Sequence, residues 1–255
     1  MRENIFVFNS DEIKSFKKVY KKFLAEHWIN EIKWNNFAIF NPQVGYKYKE
    51  AQSKLLFVGK ATNGWGVDES VSGLDELLGD KFAEKLINYT DGIKCIVSRQ
   101  QNGKNEDGYN YRRSAFWRVI ESISLEVLKE TLKDDNNWYD YIGWTNVCKV
   151  APSKRGNPSF VLKKNQFEIC KEIFKKEVDI LKPDYVIFFT SGYEDDCLKF
   201  LNLEDKNNRV KNFGWPGYEI KLVVDDSVKY IFSYHPQGKK EEPHVKEILE
   251  IINKK

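Results

Sequence analysis

The chain has 255 residues, 41% hydrophobic and 31% charged, a balance that supports a sizeable core under a solvated surface and argues against disorder. Its 41 Lys and Arg against 38 Asp and Glu leave a net charge of +3, which excludes a histone-like polycation but not a local basic face. The four Cys, at 95, 148, 170 and 197, form no CxxC pair, and no apolar run approaches a membrane span. These features argue against a zinc ribbon or a thioredoxin-type redox pair, and predict a reduced, soluble, cytoplasmic protein without a signal peptide.

The first fifty residues read as a helical extension. Asn9, Ser10 and Asp11 offer a cap, and Ile13, Phe16, Val19, Tyr20, Phe23 and Trp28 then recur at helical spacing between lysines. The segment Phe40 to Gly45 ends the extension in turn residues. Four short apolar runs follow, at 54–59, 141–146, 184–190 and 229–234, each with the look of a strand buried on both faces. Helical patterns lie between and after them, over 114–132, 164–181, 194–201 and 243–252. Residues 221–224 add an edge hairpin, and the polar stretch 99–110 reads as a mobile surface loop. Strands alternating with helices predict an α/β fold, a three-layer α/β/α sandwich around a mainly parallel sheet. Residues 51–255 are expected to form one compact unit behind the extension at 1–50.

Ligands of open parallel sheets bind at the carboxyl ends of the strands. The segments that follow the four predicted strands are rich in Gly, Asn and Ser, and one carries His235. The first, Gly59-Lys-Ala-Thr-Asn-Gly-Trp-Gly66, is no phosphate loop, because Trp65 stands where a Walker sequence needs Lys. It also lacks the glycine two positions after Gly59 that a dinucleotide fingerprint needs. A kinase or dehydrogenase is therefore disfavoured.

The order of segments carries a resemblance. A strand ending at Gly59 is followed by Phe116-Trp117-Arg-Val-Ile120, by Thr145-Asn146-Val-Cys-Lys-Val-Ala-Pro152, by Lys182-Pro-Asp-Tyr-Val186 and by His235-Pro236. This ordered set resembles the uracil-DNA glycosylase superfamily over residues 54–240. The segment Tyr109 to Trp117 is similar to the mismatch-specific branch, in which an aromatic ahead of the Phe-Trp helix stacks on the base.

The resemblance implies a monofunctional DNA glycosylase, a monomer with no metal and no cofactor, that hydrolyses the N-glycosidic bond of a base flipped out of DNA. Asn146 would read the base, and His235 would stabilise charge on the departing ring. The residues after His235-Pro236 would enter the DNA. In the superfamily the two positions after the first glycine usually carry Asp, Asn or Glu, followed by Pro, to hold the hydrolytic water. Here those three positions are Lys60, Ala61 and Thr62, so the water falls to Asn63 or Asp68, the base is one other than uracil, or the chemistry is lost. Cys170 lies near a cluster-ligand position of the iron–sulfur branch, but the other ligands are missing, and no cluster is expected.

Lys60 is a candidate contact to the base or to a phosphate. Trp65, Tyr109 and Tyr111 are candidate stacking platforms, while Phe116 and Trp117 read as core. Arg112 and Arg113, then Ser153, Lys154 and Arg155, then Gln237, Lys239 and Lys240 are candidates for a basic rim along the DNA backbone. His27 and His244 read as surface residues, and Cys148 as core or as a support just behind the site. Repair and defence against foreign modified DNA are both open roles. A non-catalytic DNA-binding module on the same fold, or a hydrolase of free nucleosides or nucleotides, remain the alternatives.

Overall fold

The computed structural model describes residues 8–26, 37–40, 42–61, 111–133, 135, 137–152, 156–203, 211–213, 220–225 and 227–253. They fall into two compact units. The first draws its described residues from the segments 1–42, 59–90 and 145–181, and the second from 43–58, 91–144 and 182–255.

In the first unit, helix α1 (Ser10–Leu24) begins with a full capping box. The Asn9 side chain accepts from the Asp11 and Glu12 amides at 3.0 and 2.9 Å, and the Glu12 carboxylate accepts from the Asn9 amide at 2.7 Å. Phe16, Tyr20 and Phe23 form its buried stripe. α1 packs on helix α3 (Phe160–Leu181), and Lys22 and Glu172 pair across the two helices at 2.6 Å. The Tyr20 hydroxyl donates to the Phe40 carbonyl at 3.3 Å. The extension is not wholly helical. Strand β1 (Phe37–Ile39) pairs antiparallel with β5 (Val150–Pro152), and Gln43–Val44, expected as turn, forms strand β2 in the second unit.

The second unit is built on a seven-stranded sheet, from which only the last residues of two strands, Gly59 and Thr145–Asn146, count with the first unit. Its further strands are β3 (Leu55–Gly59), β4 (Ile142–Asn146), β6 (Tyr185–Phe189), β7 (Lys211–Phe213), β8 (Ile220–Asp225) and β9 (Val228–Ser233). The order across the sheet is β2-β4-β3-β6-β9-β8-β7. β3, β6 and β9 run parallel, with Val58 beside Phe188 and Phe189 beside Ser233. Leu55 to Val58 and Val186 to Phe189 are fully buried, as apolar runs covered on both faces require. β8 folds back antiparallel on β9 as the expected hairpin, and β7 extends it by a further antiparallel strand.

Helices α2 (Ala115–Val127), α4 (Glu194–Leu201) and α5 (Glu241–Asn253) complete this unit. α2 packs on α5, and α5 lies against β8. The α/β class is thus observed, with parallel strands at the centre of the sheet and antiparallel strands toward its edges. No described helix is long and apolar enough to cross a membrane.

Candidate functional site

The register of β3, β6 and β9 sends their carboxyl ends to one edge of the sheet. Two of the exits, those of β6 and β9, share one device. After β6, the Tyr193 amide donates to the Thr190 carbonyl at 2.9 Å around Gly192, whose φ is +77°. After β9, the Lys239 amide donates to the Pro236 carbonyl at 3.0 Å around Gly238, whose φ is +75°. Each is a tight turn with glycine at the one position that needs a left-handed backbone. A Cβ would meet nothing within 4 Å at either glycine, so the requirement is conformational rather than steric.

The two exits are tied to each other, because the Ser191 hydroxyl accepts from the His235 amide at 2.6 Å. The Gln237 amide in turn donates to His235 Nδ1 at 3.3 Å. A ring nitrogen that accepts carries no proton, so in the neutral ring this bond favours the tautomer with its proton on Nε2. The imidazole also stacks on Phe116, with ring centroids 5.8 Å apart and planes 18° from parallel. Phe116 is braced edge-on by Trp117 at 5.2 Å and Phe189 at 5.8 Å. His235 is therefore a half-exposed donor on a rigid mount. Trp117 is core, as the sequence indicates, but Phe116 is only half-buried and serves as the platform under His235.

Beneath this edge lies His244, which its sequence context places at the surface. It is instead 4% exposed, its Nε2 lies 3.2 Å from the Ser233 hydroxyl, and its ring packs against Phe189 at 5.5 Å. Its position on the inner stripe of α5, four residues before Ile248, explains the burial. Burial first, then the nearby His235, lowers its pKa from 6.5 to about 4, and Glu241 opposes them. The unfolded chain then binds the extra proton between pH 6.5 and 4. The stability from neutral His244 is complete above pH 6.5 and is lost as pH falls toward 4, by roughly 3 kcal/mol. Urea midpoints measured across this range should fall with acid in the parent, and the fall should be smaller by about that amount in His244→Leu.

Arg118 on α2 joins two further segments of this unit. Its guanidinium forms a bidentate pair with Glu241 at the start of α5, Nε to Oε2 at 2.9 Å, and it also donates to the Arg112 carbonyl. This clamps the short 3₁₀ turn Tyr111–Arg113. Tyr111 is buried there, with its hydroxyl donating to Glu121 at 3.4 Å, so its ring is not an open stacking platform. Arg112 and Arg113 are exposed. Gln237 and Lys240 are exposed as well, while Lys239 is half-exposed and rests over the Tyr234 ring at 5.8 Å.

The first unit holds the other group of candidates. The Val147 and Cys148 amides donate to the Gly59 and Lys60 carbonyls, each at 2.9 Å, so the turn after β4 runs along the residues that follow β3. Lys60 is half-exposed and Cys148 is buried. Asn146 is 1% exposed, and its Nδ2 has no hydrogen-bond partner among the described residues. Below it, Lys149 and Glu177 form a fully buried ion pair at 2.7 Å. Burial pushes the Glu177 carboxyl up, against the pull of Lys149 and the bond from Thr145. The Gln166 side chain pairs with both backbone groups of Val150 at 2.9 Å and fixes β5 to α3. Cys170 donates its thiol proton to Gln166 at 3.3 Å, and burial raises its pKa.

Asn63, Trp65, Asp68, Tyr109, Ser153, Lys154, Arg155 and His27 lie outside the described residues, as does the 99–110 segment. The sequence puts Ser191 in the polar segment after β6 and Lys149 in the Thr145–Pro152 segment without giving either a role, and it does not single out Glu177. A signal existed for Glu177: it continues the buried Gln166, Cys170, Ile173 stripe of α3, and a carboxylate on such a stripe needs a buried partner. Comparison with known proteins finds no matching family model and no curated protein of significant similarity.

Proposed function

We propose that the protein is a monofunctional DNA glycosylase that flips a uracil-like, damaged or modified base out of DNA and hydrolyses its N-glycosidic bond. One observation carries the reading. Asn146, at the end of a buried strand, keeps an amide donor out of water with no partner among the described residues. Leaving a buried donor unpaired costs about 1–3 kcal/mol, a cost a ligand acceptor would remove. The resemblance of the Thr145-to-Pro152 and His235-Pro236 segments to the superfamily names that ligand as the edge of a base.

Base flipping costs a few kcal/mol, which stacking offsets by about 1–3 kcal/mol per base. When the C1′–N bond breaks, the electron pair leaves with the base and positive charge builds on the sugar. The Nε2–H of neutral His235 is the donor that meets the developing negative charge. A held water then adds to C1′ and gives up one proton, which the departed base anion takes up, so the products are free base and an abasic sugar; Asn63 or Asp68 is the residue to hold the water. On this reading the helices cover both faces of the sheet as a three-layer sandwich.

The test is a panel of single- and double-stranded oligonucleotides carrying uracil, hypoxanthine or modified cytosine, treated with alkali to reveal abasic sites. The parent should cut at one class of base. Asn146→Ala should lose discrimination among the bases by about tenfold, the worth of one hydrogen bond to a buried partner. Equal discrimination in parent and variant would remove Asn146 from base reading.

Lys239 and Lys240 should position DNA without choosing the base, since phosphate contacts carry no sequence information. Lys239→Ala with Lys240→Ala should weaken duplex binding and reduce the salt slope by about 0.9 for each phosphate the loop no longer neutralises. The excised base should stay the same. Binding titrations at several salt concentrations check this, and identical slopes would take the loop off the backbone.

A further inference from the structure

We propose that Lys149 is a positioning residue, gripping the backbone of Asn146 so that the Asn146 amide is presented in one fixed orientation. The inference deepens the glycosylase reading, on which the function of Asn146 rests. The geometry is that of a fully satisfied ammonium. Lys149 Nζ donates to Glu177 Oε1 at 2.7 Å, to Thr145 Oγ1 at 2.7 Å and to the Asn146 carbonyl at 2.9 Å, which uses its three protons. The Thr145 hydroxyl donates to Glu177 Oε2 at 2.8 Å, so each carboxylate oxygen is also engaged. Lys149 and Glu177 are both fully buried.

A pair so placed adds little stability over apolar residues of the same volume, because desolvation cancels most of its attraction. What apolar residues could not supply is direction. Asn146 is the last residue of β4, where the regular strand gives way to the turn at Val147 and Cys148. Lys149 reaches back from the far side of that turn and pins the Asn146 peptide at its carbonyl. Glu177, from the long helix α3, holds the ammonium in place. Two groups flanking Asn146 in the sequence, Thr145 and Lys149, thus meet one carboxylate from a rigid helix, and the side chain between them is the one with the unpaired amide.

The paired variant Lys149→Met with Glu177→Gln removes the grip without leaving a buried charge. Side-chain NMR of ¹⁵N-labelled protein, with the Asn146 amide assigned by its disappearance in Asn146→Ala, reads the orientation directly. The parent should show a rigid amide shifted away from free-asparagine values. The paired variant should remain folded, with that amide moved toward the free values and its heteronuclear NOE reduced. In the oligonucleotide panel it should lose discrimination among bases about tenfold, as Asn146→Ala does. Should the pair fail to fold, the all-apolar triple Thr145→Val, Lys149→Met, Glu177→Leu carries the same expectations. A folded variant whose Asn146 amide is unchanged overturns the proposal. A parent that releases no base overturns the glycosylase reading instead, and the NMR result still decides the role of Lys149.

Discussion

His235→Ala should slow single-turnover base release by about 10²–10³, while affinity for the same oligonucleotide barely changes. The expectation comes from when the donor acts. Negative charge appears on the base only as the glycosidic bond breaks, so a hydrogen bond from Nε2 is stronger in the transition state than in the bound substrate. Loss of one such preorganised donor costs about 2.7–4 kcal/mol of activation free energy. Preorganisation is visible in the mount. Ser191 holds the His235 backbone, the Gln237 amide occupies Nδ1, and Phe116 lies flat against the ring. None of these interactions depends on a bound molecule, so no reorganisation is needed at the moment of reaction. Rapid-quench cleavage with enzyme in excess, beside equilibrium binding, separates the two effects. An unchanged rate in the variant would make His235 a structural residue of its turn.

The largest stability effects should come from breaking the buried pair in the first unit. Lys149→Ala strands the Glu177 carboxylate and Glu177→Ala strands the Lys149 ammonium, and each should destabilise by about 3–5 kcal/mol. The neutral double variant Lys149→Met, Glu177→Gln should recover most of that stability, since it buries no uncompensated charge. Urea unfolding of the three variants and the parent measures this. The midpoint should drop in each single variant with an unchanged slope, and the double variant should lie much nearer the parent. Singles that unfold at the parent midpoint would mean that the pair is not buried in solution.

The main elements are legible because each shows either a helical period or an unbroken apolar run. Asn9, Ser10 and Asp11 mark the start of α1, and the apolar runs at 54–59 and 184–190 have the look of strands buried on both faces. The short strands β1, β2 and β5 span two or three residues each, too few for a period to show, and they exist through their pairing partners. The same division holds at the site. His235 and Asn146 stood out as polar residues just past apolar runs. The charged neighbours of His244 in the sequence point to solvent, whereas its place on the inner stripe of α5 makes it a neutral ring against Phe189. Phe116, an aromatic beside Trp117, reads as core, and only the fold brings it flat against His235. Ser191 is linked to His235 by a bond across 44 residues, which no local pattern reveals.

Mass spectrometry of an oligonucleotide panel after incubation with the parent protein reads base release directly. Free base and an abasic strand should appear in equal amounts from one class of base, with both products strongly reduced in His235→Ala. Intact oligonucleotides throughout the panel, bound or unbound, would contradict the glycosylase reading.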